Sequence, residues 1–579
     1  MTQCPTSDSR HYLIQALFRP RGLLLLLAVS FALGAALCLT MLPVPVIIGN
    51  ASFWNFPSGT VPGGMIDMAQ TLVGDRYCAQ APWTVPILNI PNIVPPTGTN
   101  LLWFDAVPLL CLFGKSIVLI GGTPVNLIGV FLFFCFTLPG VAMTAVFRAA
   151  GQQGLICAIA AVGIGDSMPF LLFEWGHIAL CAQFLIIAAL LLYLLSQQHP
   201  NDARVRAGWI ALLLVTLLIS NYIFVMVGGI WLAALLQLGL DRRVTPARFV
   251  FEALAAVGVV ALVAAAMGLL TRDLRFAGTG SFGVFSMNLG SPFVPQLSGV
   301  LPPLATYWVG MRSQVFDYVG AGVLFVLAAG LSALARWPRF HVRSHIALIC
   351  VLGGFFLFAL SNRITLGSHT LLLIPLPEGV AYVFGAFRAS GRFFWPIGYS
   401  IAAAGTLVVL RSFRPRTASA ILAVASVLQV VDTAPQRRAI AASTTYAAPA
   451  VVDRQRLDDA IAAARGIMIF PTFGCASIAP SDDVAVMARA LRLQRANVEL
   501  QVLGARRNLP INSAATDRLD TDCAAEASTR LEALDPGIAY FYLTGPMPGS
   551  EQLGGRDPDR VCRPIDWLRF CLVPSGSGN

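Results

Sequence analysis

Lysine is almost missing from this chain, which has one, Lys115, in 579 residues. Charge of either sign is scarce: Asp, Glu, Lys and Arg make up 12% of the sequence, 56% is hydrophobic, and mean hydropathy is +0.72. A soluble domain carries about twice that share of charge, so an ordinary water-soluble fold is excluded. No small-residue cleavage site follows the opening run GLLLLLAVSFALGAALCL, which is therefore expected to stay as a span rather than leave as a signal peptide. Paired C-x-x-C knuckles are missing, which argues against a structural zinc site. A continuous basic stripe interleaved with aromatics is missing as well, so the net charge of +10 does not point to nucleic acid. The arginines sit instead in short links such as DRRVTPARF, RWPRFHVR and RSFRPR, the distribution expected of cytoplasmic loops between spans.

What is present is a series of apolar runs from Gly22 to Thr433, several near the roughly 20 residues needed to cross a hydrocarbon core. Arg10, Arg19 and Arg21 place the N-terminus in the cytoplasm. Residues 48–104 are rich in Pro, Gly, Asn and Trp, show no periodic apolar face, and form a long first external loop. The piece DAVPLLCLFGKSIVLIGG, residues 105–122, is apolar but short. If it crossed, Arg148 would fall outside, so it is expected to lie at the interface. Later spans then run over 124–147, 152–170, 177–196, 207–220, 222–240, 250–270, 316–335, 345–361, 393–411 and 417–433. The pair meeting at Ser220-Asn221-Tyr222 could instead be one kinked helix, an inversion that the downstream arginine links oppose.

After Asp432 the composition becomes water-soluble. The expected organisation is an all-α polytopic membrane domain over 1–433, with about 11 spans, followed by a small extracytoplasmic α/β domain over 434–579 large enough for its own core. GIMIFPTFG, NVELQVLG and GIAYFYLT read as strands, and VAVMARALRLQR as an amphipathic helix. Cys475, Cys523, Cys562 and Cys571 are an even set in this external part and read as disulfides, with Cys562 and Cys571 the easiest local pair. The remaining cysteines read mostly as small apolar packing residues inside spans.

Polar candidates gather on the external face. The first loop carries Asp67, Asp75 and Asp105, and Glu174 and His177 interrupt the apolar PFLLFEWGHIAL. His177 could equally cap a helix start after Gly176. Arg388 and Arg392, in FRASGRFFWP, stand one helical turn apart just before a span on its external side, against the charge rule. Holding a phosphate is a physical reason for them, and snorkelling or a pair with Glu378 is the bland alternative. The uncharged GTGSFGVFSMNLGSPFVPQ could cradle a sugar or prenyl chain or be a linker. Asp317 reads as an ordinary helix-start acid.

Together these residues resemble the GT-C superfamily, integral-membrane glycosyltransferases that use polyprenyl-phosphate sugars, and in particular a bacterial subgroup of it. The matching pieces are DMAQ at 67–70, PTGTNLLWFDAVPL at 96–109, GHIAL at 176–180 and FRASGRFFWP at 387–396. The resemblance implies that Asp67 is the catalytic base. Met68 stands where many members have a second acid, so Asp105, Asp75 or Glu174 would have to supply one. Arg388, Arg392, His177 and Lys115 would then support the donor phosphate. It further implies a multi-pass protein of the bacterial inner membrane with a periplasmic C-terminal domain. The partners would be a polyprenyl-phosphate-linked sugar donor, membrane lipids, and a periplasmic glycan, lipid or protein acceptor. No cofactor is required, although a divalent cation, Mg or Mn, could be held by a second acid. A lipid-linked glycan flippase or transporter, or a non-catalytic subunit of envelope polysaccharide assembly, are the competing expectations.

Overall fold

The computed structural model describes residues 20–55, 64–269, 282–304, 316–333, 342–445, 451–476, 484–516, 522–528, 534–543 and 562–573. Arg10, Arg19, the basic link 336–341 and the start of the loop 278–296 lie outside them.

A chain inside hydrocarbon must satisfy its own N–H and C=O groups, and the apolar runs accordingly fold as helices. Among the described residues seven are long and apolar enough to cross a membrane. The number is nine if two bent pairs, Leu155–Gly165 with Pro169–Gly176 and Pro415–Asp432 with Ala434–Thr445, each count as one span. This is a multi-pass membrane protein. The other two expected spans correspond to helices Ala203–Leu217 and Ala321–Ala333, of 15 and 13 residues. At about 1.5 Å per residue each rises only about 20 Å within the described residues, short of a full crossing. Ala203–Leu217 and Asn221–Leu240 pack against each other, so the chain reverses at 218–220 instead of continuing as one kinked helix.

The first loop is more ordered than its composition suggests. A 17-residue helix, Gly64–Gln80, runs through it and packs on the short helix Pro108–Leu119, which at 12 residues cannot span. No amphipathic stripe marked Gly64–Gln80 because its surface is covered from several sides: Met68, Ala69, Leu72, Val73, Tyr77 and Cys78 are all buried. Cys78 and Cys111 tie the two helices together as a disulfide, so these two are not the packing residues that the sequence suggested.

The C-terminal unit holds a four-stranded sheet. Gly466–Phe470 runs parallel to Ile538–Tyr542, while Leu568–Leu572 pairs antiparallel with both Ile538–Tyr542 and Cys562–Ile565. NVELQVLG is not a strand but part of one long helix, Val484–Arg507. Its alternation of apolar and polar residues mimics a strand, yet Val498, Glu499, Leu500, Gln501, Val502 and Leu503 are all buried. The helix is enclosed because it packs on the sheet and, on another side, on Gly64–Gln80. Consequently the unit does not keep a core to itself: Ile467, Leu500 and Phe541 join Val73, Tyr77 and Ile93 in one apolar cluster. Polar bonds reinforce this junction. The Tyr77 hydroxyl donates to the Leu509 carbonyl at 2.7 Å, and the Ile511 and Val94 amides donate to Asn92 and Ile511 carbonyls at 2.8 and 2.7 Å. Cys475 is bonded to Cys523 and Cys562 to Cys571, so the four sulfurs form two bridges rather than a metal centre.

Candidate functional site

Asp67 lies in the first turn of Gly64–Gln80, where the helix dipole favours a carboxylate. Burial of the adjoining Met68 and Ala69 leaves Asp67 at the margin, with its side chain 29% exposed. Glu174 and His177 owe their position to Pro169, which starts a new short helix and bends the apolar run by 43°. Beyond it two 3-10 turns, Glu174–Gly176 and Ile178–Cys181, flank His177. Arg392 stands in a third such turn, Ser390–Phe394, which leads into helix Trp395–Ser412.

These four side chains, drawn from three distant parts of the chain, form one row of alternating charge. His177 Nε2 lies 3.1 Å from Asp67 Oδ2, and His177 Nδ1 lies 3.1 Å from Glu174 Oε2. Glu174 in turn accepts from Arg392 Nε at 3.3 Å and Nη2 at 3.2 Å, a bidentate fork. The Arg392 guanidinium also lies over the Tyr222 ring, 5.3 Å from its centre. A ring nitrogen can bond a carboxylate only by donating, so the two contacts of His177 require both nitrogens protonated. His177 sits at the turn before helix Ile178–Gln198. Burial works against its charge, but the Glu174 carboxylate and the hydrogen bonds to Asp67 and Glu174 outweigh burial and push it up to about 10.

Asp105 joins this neighbourhood. The Thr71 hydroxyl, one turn along the helix from Asp67, donates to the Asp105 carbonyl at 2.5 Å, and the Asp105 carboxylate is within electrostatic reach of Arg392. The other expected second acids are placed differently. Both Glu174 oxygens are engaged by Arg392 and His177, so it stands as a clamp on them rather than a free acid. The Asp75 carboxylate oxygens are enclosed, and the Val107 amide is the group that faces them. Burial drives Asp75 well above the usual carboxylate range, the Val107 amide opposing this only in part.

Of the expected phosphate ligands, Lys115 is buried, and its ammonium donates to the Pro82 and Ile87 carbonyls at 3.0 and 2.8 Å. It therefore fastens the first loop. Arg388 and Arg392 do not share a helical face, since Arg388 precedes the 3-10 turn in irregular backbone. Arg388 is exposed beside the Phe285 ring, whereas Arg392 turns inward to Glu174 instead of Glu378.

Asp317 is the residue that sequence reasoning passed over. It is fully buried, neither oxygen has a hydrogen-bond partner among the described residues, and it lies within electrostatic reach of Glu174 and Arg392. The stacking of Phe173 on Phe316, with centres 5.1 Å apart, brings the two acids' segments side by side. Among the described residues no group of three or more His, Cys, Asp or Glu is arranged to hold a metal ion.

Residues 31–434 match a family described as a domain of unknown function, DUF6311. The chain belongs to the DUF6311 family. The match takes in Asp67, Asp105, Glu174, His177, Asp317, Arg388 and Arg392, and ends where the helix Pro415–Asp432 closes the bundle. No curated protein matches the chain.

Proposed function

We propose that the protein is an inverting glycosyltransferase of the GT-C kind, moving a sugar from a polyprenyl-phosphate donor to a periplasmic glycan, lipid or protein acceptor. The observation that carries this reading is the row Asp67–His177–Glu174–Arg392, which joins the first-loop acid to cationic groups from two other parts of the chain. The His177 imidazolium fixes the direction of the Asp67 carboxylate. Asp67 then takes the proton of the acceptor hydroxyl as that oxygen attacks the anomeric carbon. The bond from that carbon to the donor phosphate breaks in the same step and its electron pair leaves with the polyprenyl phosphate, so the configuration inverts. Exposed Arg388 is suited to hold the departing phosphate, and Arg392 supplies positive potential from behind Glu174. Asp105, the second partly exposed acid, is suited to face the positive charge that develops on the sugar ring. On this reading the N-terminus is cytoplasmic, the C-terminal unit is periplasmic, and that unit's packing on Gly64–Gln80 braces the helix that carries the base.

One observation favours transport instead. Asp166 is buried among the spanning helices, as a translocation pathway would require. However, it accepts from the Gly140 amide at 2.6 Å next to Pro139, a proline inside helix Ile128–Ala149, which gives it a structural task. Proteoliposomes of the purified protein, supplied with labelled polyprenyl-phosphate pentoses and hexoses and a membrane acceptor extract, separate the readings. Labelled product supports the transferase. Movement of the intact donor across the bilayer without product supports the transporter.

A further inference from the structure

The segment between the spanning helix Arg343–Leu360 and Arg392 has an apolar surface, centred on Leu371, Leu372, Leu373, Val380 and Val383, that the described residues leave exposed. It opens as an antiparallel ribbon, Arg363–Leu366 paired with His369–Leu373, and continues as helix Glu378–Gly385. Every residue of His369–Leu373 is exposed, with Leu371, Leu372 and Leu373 at 57, 49 and 62%. Successive strand residues face opposite sides, so both faces of the ribbon are apolar there and neither is packed. Helix Glu378–Gly385 buries no residue and exposes Val380, Tyr382 and Val383. The partner strand is seated by Thr365, which is fully buried, and by Ile364, which packs on the main core, so the bare part is His369–Leu373, and an apolar strand bare on both faces would invite aggregation in water.

The ribbon is held in this position by polar bonds at both ends. At its turn the Asn288 side chain donates to the Gly367 carbonyl at 2.8 Å and accepts from the Gly367 amide at 3.1 Å, and the Leu289 amide donates to Thr365 at 2.9 Å. At its root Asn362 clasps Ile374 in both directions, at 2.8 and 3.1 Å. The leucines between these anchors are thus held exposed on a fixed frame. The ribbon begins three residues after Leu360, at the end of a span whose own Leu357 is 67% exposed. Its apolar surface therefore continues the surface that the spanning helices present to lipid. It also stands at the end of the bundle that holds the Glu174–Arg392 pair, because the Gly391 amide donates to Phe285 and the Met287 amide to Ala359.

We propose that the ribbon Arg363–Leu373 and helix Glu378–Gly385 form a wing immersed in the bilayer at the membrane face of the acidic site, its partner being the hydrocarbon chains of lipids. The wing's depth does not depend on what the site catalyses, so the two readings fail separately. The test places a nitroxide on Leu372→Cys, and separately on Val383→Cys, in full-length protein whose Cys4 and Cys350 are changed to Ser. The protein is reconstituted in phosphatidylcholine liposomes. Leu357→Cys serves as the reference inside lipid and Arg456→Cys, on the C-terminal unit, as the reference in water. Collision with dissolved oxygen exceeding collision with a water-soluble nickel chelate several-fold at both wing sites, as at 357, is the expected result. Ready collision with the nickel chelate, as at 456, would overturn the proposal by placing the wing in water. Protection from both reagents with spin–spin broadening would overturn it by showing a second copy on the wing.

Discussion

Glu174→Gln tests the charge row without reference to activity. Glu174 is 2% exposed and is the partner of Arg392 through two bonds, while the Arg392 side chain is itself only 14% exposed. Glutamine preserves shape and one acceptor oxygen but removes the negative charge, leaving a guanidinium enclosed without a counter-charge. Breaking a buried pair by removing one member costs about 3–5 kcal/mol, and the surviving acceptor puts this case near the lower figure. His177 would lose one of its two carboxylates and so part of the reason for its charge. Unfolding of detergent-solubilised protein, followed by circular dichroism in increasing denaturant, should show a loss of about 3 kcal/mol. The double variant Glu174→Gln with Arg392→Gln should recover part of that loss, because the uncompensated charge has gone with its partner. A single variant within about 1 kcal/mol of the parent would refute the reasoning, as would a double variant that loses the sum of both single changes.

Three further outcomes are expected. His177 is held charged in the folded protein up to about pH 10 against an ordinary value near 6.5, so its contribution is complete below about 6.5, declines above that, and is lost above 10. The difference in melting temperature between the parent and His177→Gln, measured from pH 6 to 10.5, should shrink as pH rises; a constant or growing difference contradicts the assignment. Lys115→Met leaves the Pro82 and Ile87 carbonyls without their donor and should cost about 1–3 kcal/mol in denaturant unfolding, whereas a direct phosphate ligand would leave stability unchanged. Cys78→Ser with Cys111→Ser opens a loop of 33 residues and by chain entropy should destabilise by about 4 kcal/mol, read by limited proteolysis of the first loop.

The membrane class was legible because long apolar runs have few other solutions, and counting crossings set residues 105–122 apart from the spans, as the 12-residue helix Pro108–Leu119 is too short to be one. Glu174, His177 and Arg392 each stood out by breaking an apolar context. What the sequence could not tell was their pairing, because 218 residues separate Glu174 from Arg392 and an arginine looks the same whether its partner is Glu378, Glu174 or phosphate. In Val484–Arg507 the first half, VAVMARALRLQR, was rightly read as a helix, whereas NVELQVLG in its second half was misread for a related reason. Periodicity reports one covered face, and a helix enclosed between a sheet and Gly64–Gln80 has more than one. Asp317 gave no signal, since an acid at a helix start is common and only its lack of partners in the folded chain distinguishes it. Cys78 and Cys111, each within an apolar stretch, looked like packing until the two helices were seen side by side.

The central claim is that Asp67 accepts the acceptor's proton. Sugar transfer from labelled polyprenyl-phosphate donors, compared in proteoliposomes of the parent and of Asp67→Asn at equal folded amount, tests it most directly. A loss of about 100-fold or more in rate, with donor binding retained, is predicted for removal of a general base. Transfer at the parental rate by Asp67→Asn would contradict the account.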